Sequence, residues 1–150
     1  MKFFRFASLT LALLPLSVGC QPAGDSAPTS QSTVDEHAHE HVEIKSFAEG
    51  IEQLGKFRDE IKAAFEKGSP GDAHDALHEI GEIIEALPGL AAKQGELDQA
   101  ATDAIESAKK SLMDAFTKLD GVMHGGEAVE YSTVGPDIQT AMDTLKGYVK

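Results

Sequence analysis

The 150-residue chain has a single cysteine, Cys20. It cannot close an internal disulfide, form a C-x-x-C redox pair or attach haem through C-x-x-C-H. Packing alone must hold its fold. Basic residues are also few, 13 Lys and Arg against 25 Asp and Glu, for a net charge of −12. That excess repels polynucleotides and anionic lipid surfaces, so nucleic acid is not an expected partner. A lasting membrane span takes about 20 apolar residues, and the run from Phe6 to Leu16 falls well short. Nothing alternates like a strand, and no Gly-rich phosphate loop, nucleophile elbow or pair of buried carboxylates can be found.

Residues 1–20, MKFFRFASLTLALLPLSVGC, have a distinct layout. Lys2 and Arg5 precede the short apolar run, and small residues lead to the cysteine, the three-part plan of a secretory signal. The ending Leu16-Ser17-Val18-Gly19-Cys20 resembles the lipobox of bacterial lipoproteins, except that the large aliphatic residue stands four places before the cysteine rather than three. The resemblance implies cleavage after residue 19, a diacylglycerol on the Cys20 thiol and acylation of the new amine. Gln21 is not the Asp that holds enterobacterial members at the inner membrane, so the outer membrane is favoured, with the chain facing the periplasm. Loss of Lys2 and Arg5 leaves 11 basic and 25 acidic residues, net −14. Adhesion would then come from acyl chains, at about 0.8 kcal/mol per buried methylene, and not from basic side chains.

Residues 20–43 are rich in Ser, Thr, Pro, Ala and charge, with Val34 and Val42 the only large aliphatics. Such a stretch cannot bury enough apolar area to offset chain entropy, and we expect a disordered acylated tether. As a coil it would reach roughly 25 Å.

From Ile44 onward the apolar spacing turns helical. Ile44, Phe47, Ile51, Leu54, Ile61 and Phe65 mark a first helix, and the Lys67–Gly71 turn stops it. Asp72 is expected to cap a second helix with Ala73, Leu77, Ile80, Ile84 and Leu87 inward, ended or kinked at Leu87-Pro88-Gly89. A third, from about Glu96 to Met123, would turn Leu97, Ala101, Ala104, Ala108, Leu112, Ala115, Leu119 and Val122 inward. Ser132 or Thr133 is expected to cap a fourth, with Ile138, Ala141, Met142, Leu145, Tyr148 and Val149 inside, leaving Tyr131 in a loop. Short connections make this an all-α, antiparallel up-down-up-down four-helix bundle over residues 44–150.

Histidines supply the chemistry. His37, His39 and His41 alternate along the tether among carboxylates, and nitrogen ligands of that kind suit zinc, copper or nickel. His74 and His78 are four apart and share a face of the second helix, flanking its apolar stripe. Antiparallel topology puts the start of that helix at the same end as the exit of the third, so His124 is expected near His74, with Glu127, Glu130 and Asp137 at the same end. The bland alternative is that the pair caps and packs the rim. Neither near-match to the zinc-peptidase helix survives: Glu82 replaces the second histidine of H-E-x-x-H, and His74-Asp75-Ala76-Leu77-His78 lacks the glutamate. Asp75 with His78 imitates half of a di-iron pattern, but the remaining inward positions are apolar.

The helix lengths and the tight first turn at Gly68–Gly71 resemble the small periplasmic b-type and c-prime-type cytochromes. The likeness covers most of Ile44 to Lys150 and is architectural, without a diagnostic motif. It implies haem held by a methionine on the first helix and a histidine on the last, yet the first helix has neither residue and the last has only Met142. Arg58, between Leu54 and Ile61, is expected to lay its stem along the core with its head wet. Met113, Met123 and Met142 read as gap-fillers. The first expectation is therefore a non-enzymatic envelope lipoprotein, an interaction or structural module with membrane lipid and an envelope protein as partners. A divalent transition-metal binder is the alternative, and an electron-transfer haem bundle a further one.

Overall fold

In a computed structural model, residues 43–150 are described. The leader, Cys20, and the tether segment bearing His37, His39 and His41 lie outside the described residues. Four helices follow in order: α1 (Phe47–Glu66), α2 (His74–Lys93), α3 (Gln99–Met123) and α4 (Tyr131–Lys146). There is no strand among the described residues.

Local chemistry fixes most of the ends. Ser46 caps α1 by accepting from the Glu49 backbone N–H at 3.2 Å, while the Glu49 carboxylate accepts from the Lys45 N–H at 3.0 Å. This is a capping box displaced by one residue. After Lys67, Gly68 takes a φ of 72°, and the Ser69 N–H bonds back to the Ala64 carbonyl at 3.0 Å, satisfying the last turn. Asp98 caps α3 through the Ala101 N–H at 2.7 Å. Gly125, with φ 78°, and the 2.8 Å bond from Gly126 N–H to Gly121 O close its other end in the same way.

Each helix packs on the next in chain order, and α4 returns to α1, forming a four-helix bundle in which the backbones of diagonal pairs stay apart. The connections, residues 67–73, 94–98 and 124–130, are too short for anything but antiparallel neighbours. Cross-helix bonds agree. Arg58 at mid-α1 donates to Gln139 at mid-α4 (3.1 Å), and Gln94, after α2, bonds the chain's end through Tyr148 O (3.3 Å) and Lys150 N–H (3.2 Å). The start of α1 and the end of α4 thus share one pole. The starts of α2 and α4 and the end of α3 share the other, about 30 Å away at 1.5 Å per residue.

The interior is hydrocarbon. Leu54 and Ile61, Ile80, Ile84 and Leu87, Ile105, Leu112 and Leu119, and Ile138, Met142 and Leu145 are fully enclosed, and no polar or charged side chain is buried among the described residues. Met113 and Met123 pack on this core as half-buried fillers.

Several expectations need correction. Asp72 does not cap α2: it lies inside a 3-10 turn, Pro70–Ala73, which Pro70 opens with its fixed φ. Pro88 does not end α2, which continues to Lys93 because Leu90 and Ala91 are buried one turn later. The missing proline N–H leaves the Ile84 carbonyl without its helical partner. The buried face of α3 includes Ile105 and Phe116 and leaves Ala101 and Ala104 half-exposed, since the larger side chains remove more apolar area from water. Tyr131 is buried as the first residue of α4, so Ser132 and Thr133 fall inside that helix, and the Ser132 hydroxyl donates to Glu130 at 3.2 Å. Val149, beyond the helix, is 39% exposed.

Candidate functional site

The three described histidines meet at the pole away from the chain's entry. The 3-10 turn delivers the backbone into α2, whose first turn carries His74 and His78 on one outward face. Their ring centroids are 4.7 Å apart, with the planes crossed at 68°. His124 is the C-cap of α3. The five extra residues of α3 over α2 do not carry it past its neighbour: its ring lies 6.2 Å from that of His74, crossed at 66°.

Two carboxylates stand behind these rings. Asp75 Oδ1 is 3.5 Å from His74 Nδ1, and Asp120 Oδ2 is 3.5 Å from His124 Nε2. The side chains of His74 and His124 are 47% and 60% exposed, so both rings stay open to solvent at the rim of the bundle. Among the described residues, no three His, Cys, Asp or Glu side chains are already closed around a point that could hold a metal ion. Glu127 and Glu130 lie in the neighbouring 124–130 loop, and Asp137 is exposed in the first turns of α4.

A groove of about 730 Å³ runs from this cluster up the α2–α3 seam, floored by Leu77, Met113 and Phe116, with His78 and Asp120 at its lip. Lys109 pairs with Glu85 across the same seam, and their hydrogen bond raises the lysine's pKa.

A second groove, about 990 Å³, opens between α1 and α4, the least closely packed neighbours. Phe65, Val122, Val129 and Tyr131 line it, and Arg58 and Lys62 are balanced there by Asp59, Glu66 and Glu130. The Arg58 side chain is 19% exposed, and its Nη1 donates to Gln139 in an exposed hydrogen bond. Its Nε is shut off from solvent, facing Asp59 Oδ1 at 2.7 Å in an ion pair too bent to be a hydrogen bond. Burial pushes the Tyr131 phenol above its ordinary pKa, with Arg58 pulling the other way. With its charges answered internally, this groove has no evident ligand preference.

A haem between the helices would need axial ligands pointing inward. Met142 is the one fully enclosed methionine among the described residues, and all the described histidines lie on the surface. These residues do not fit one. No family model, curated protein or solved structure matches the chain.

Proposed function

We propose that this chain is an envelope lipoprotein, a non-enzymatic interaction or structural module held at a membrane through acylated Cys20. The observation that carries the reading is Leu16-Ser17-Val18-Gly19-Cys20, which puts the only thiol of the chain at the end of a short charged-then-apolar leader. Other features accord with it. No helix among the described residues is long and apolar enough to cross a membrane, so attachment would fall to lipid. The bundle interior is spent on packing, which leaves the acidic surface and its two seams for a protein partner. Gln21 favours the outer membrane, facing the periplasm.

Growing producing bacteria with an alkyne-tagged fatty acid tests this directly. The wild-type chain should carry the tag and sediment with membranes, whereas Cys20→Ser should lose the tag and keep its leader. An untagged wild-type chain with a free sulfhydryl and its first methionine would sink the proposal.

A further inference from the structure

We propose that His74, His78 and His124 bind one divalent transition-metal ion of the zinc, copper(II) or nickel class, at the bundle pole away from the chain's entry. The inference rests on the geometry of the bundle and stands or falls apart from the Cys20 anchor.

Histidines four apart on a helix offer two ring nitrogens on one face, the spacing by which a helix chelates zinc. His74 and His78 do so on the outward face of α2, where no core contact has to be given up. For a metal–nitrogen bond of about 2.1 Å and near-tetrahedral angles, two imidazole centroids sit about 5 Å apart. The observed separations of 4.7 and 6.2 Å fall on either side of that value. The 6.2 Å between His74 and His124 exceeds it, so closing the set requires an inward movement of the His124 ring toward the α2 pair. That ring is free to make it: it is 60% exposed, on the last cap of α3, just before Gly125 and Gly126.

The crossed planes also suit rings converging edge-on toward one ion rather than stacking face to face. Behind them, Asp75 on His74 Nδ1 leaves Nε2 for the metal, and Asp120 on His124 Nε2 leaves Nδ1. Carboxylates in that outer position orient metal-bound imidazoles and strengthen their donation. Three nitrogens with a fourth position open to solvent is a donor set for borderline cations, not for calcium or magnesium, which prefer oxygen. The net charge of −12 adds a general attraction for cations.

The test uses the full chain solubilised in detergent and stripped with EDTA, titrated with zinc chloride in a calorimeter. One ion per chain should bind with a Kd below about 10 µM, and His74→Gln, His78→Gln and His124→Gln should each weaken it at least about tenfold. These positions are exposed, so the metal-free circular dichroism of each variant should match the wild type. A chain carrying His37→Gln, His39→Gln and His41→Gln together should keep the tight site. In that chain, copper(II) paramagnetic resonance should show three coordinating nitrogens, falling to two in His124→Gln. Absence of saturable binding below that limit would overturn the proposal, as would full affinity in His74→Gln with loss in the triple variant.

Discussion

Replacing Pro88 by alanine should make the bundle more stable. Proline in a helix interior costs about 3 kcal/mol relative to alanine, through the lost N–H and the clash of its ring with the preceding turn. Pro88 lies fifteen residues into the twenty of α2, and its neighbours Leu87 and Leu90 are anchored in the core, so the helix has been carried through it. Alanine would return a donor to the Ile84 carbonyl. Against that, the half-buried ring contributes apolar cover beside Leu97 and Ile105. Losing about two methylenes, mostly covered, costs about 1–1.5 kcal/mol at 0.8 each. The balance is a gain of about 1.5 kcal/mol, or roughly 6–12 °C in Tm for a domain of about 100 residues. Gly89→Ala is the control, because its Cβ would meet nothing within 4 Å and only the helical backbone responds. It should gain about 0.5–1 kcal/mol. Urea unfolding followed by circular dichroism at 222 nm measures both. If Gly89→Ala stabilises the protein and Pro88→Ala destabilises it, the ring is a packing element and the argument from the missing donor is wrong.

Tyr131→Phe should flatten the alkaline limb of stability. With the folded phenol titrating above its ordinary value near 10, the unfolded chain loses its proton first. The resulting stability is fully present below that value and disappears as pH rises through the folded pKa. Unfolding midpoints measured from pH 8 to 11 should therefore fall less steeply in the variant, and parallel curves would refute the buried-phenol account. Gly126→Ala should cost about 1–3 kcal/mol, since its Cβ would stand 2.7 Å from the Gly121 carbonyl oxygen. An unchanged denaturation midpoint would mean that the α3 cap is looser than described.

Much of the fold was legible in the sequence, because the stripes of α1 and α2 are built from large aliphatics at clean spacing. Leu54 and Ile61, and Ile80, Ile84 and Leu87, were all expected inside and are fully enclosed. On α3 the alanines gave two overlapping stripes, and spacing alone could not say that Ile105 and Phe116 would displace Ala101 and Ala104. Tyr131 was obscured by its setting: a polar, Gly-rich loop precedes it, and Arg58, Phe65 and Glu66, which line the same groove, belong to α1, more than sixty residues away in the chain. At Pro88 local rules allow a stop or a kink, and the burial of Leu90 and Ala91, a tertiary effect, rules out the stop. The meeting of His74 with His124 was readable, since it depends only on the order of the helices and the shortness of their connections. The distances between the rings were not, because they depend on where α3 ends.

An even number of alternating helices brings the last residue back to the side where the first helix begins, and Gln94 clips the tail there by two hydrogen bonds. A reporter fused after Lys150 would therefore sit at the pole where α1 begins, while one inserted in the 124–130 loop would sit at the opposite pole. The same closeness favours a circular permutant with old ends bridged and new ones cut at Gly126–Glu127. Such a chain would begin and end at the pole that bears His74, His78 and His124.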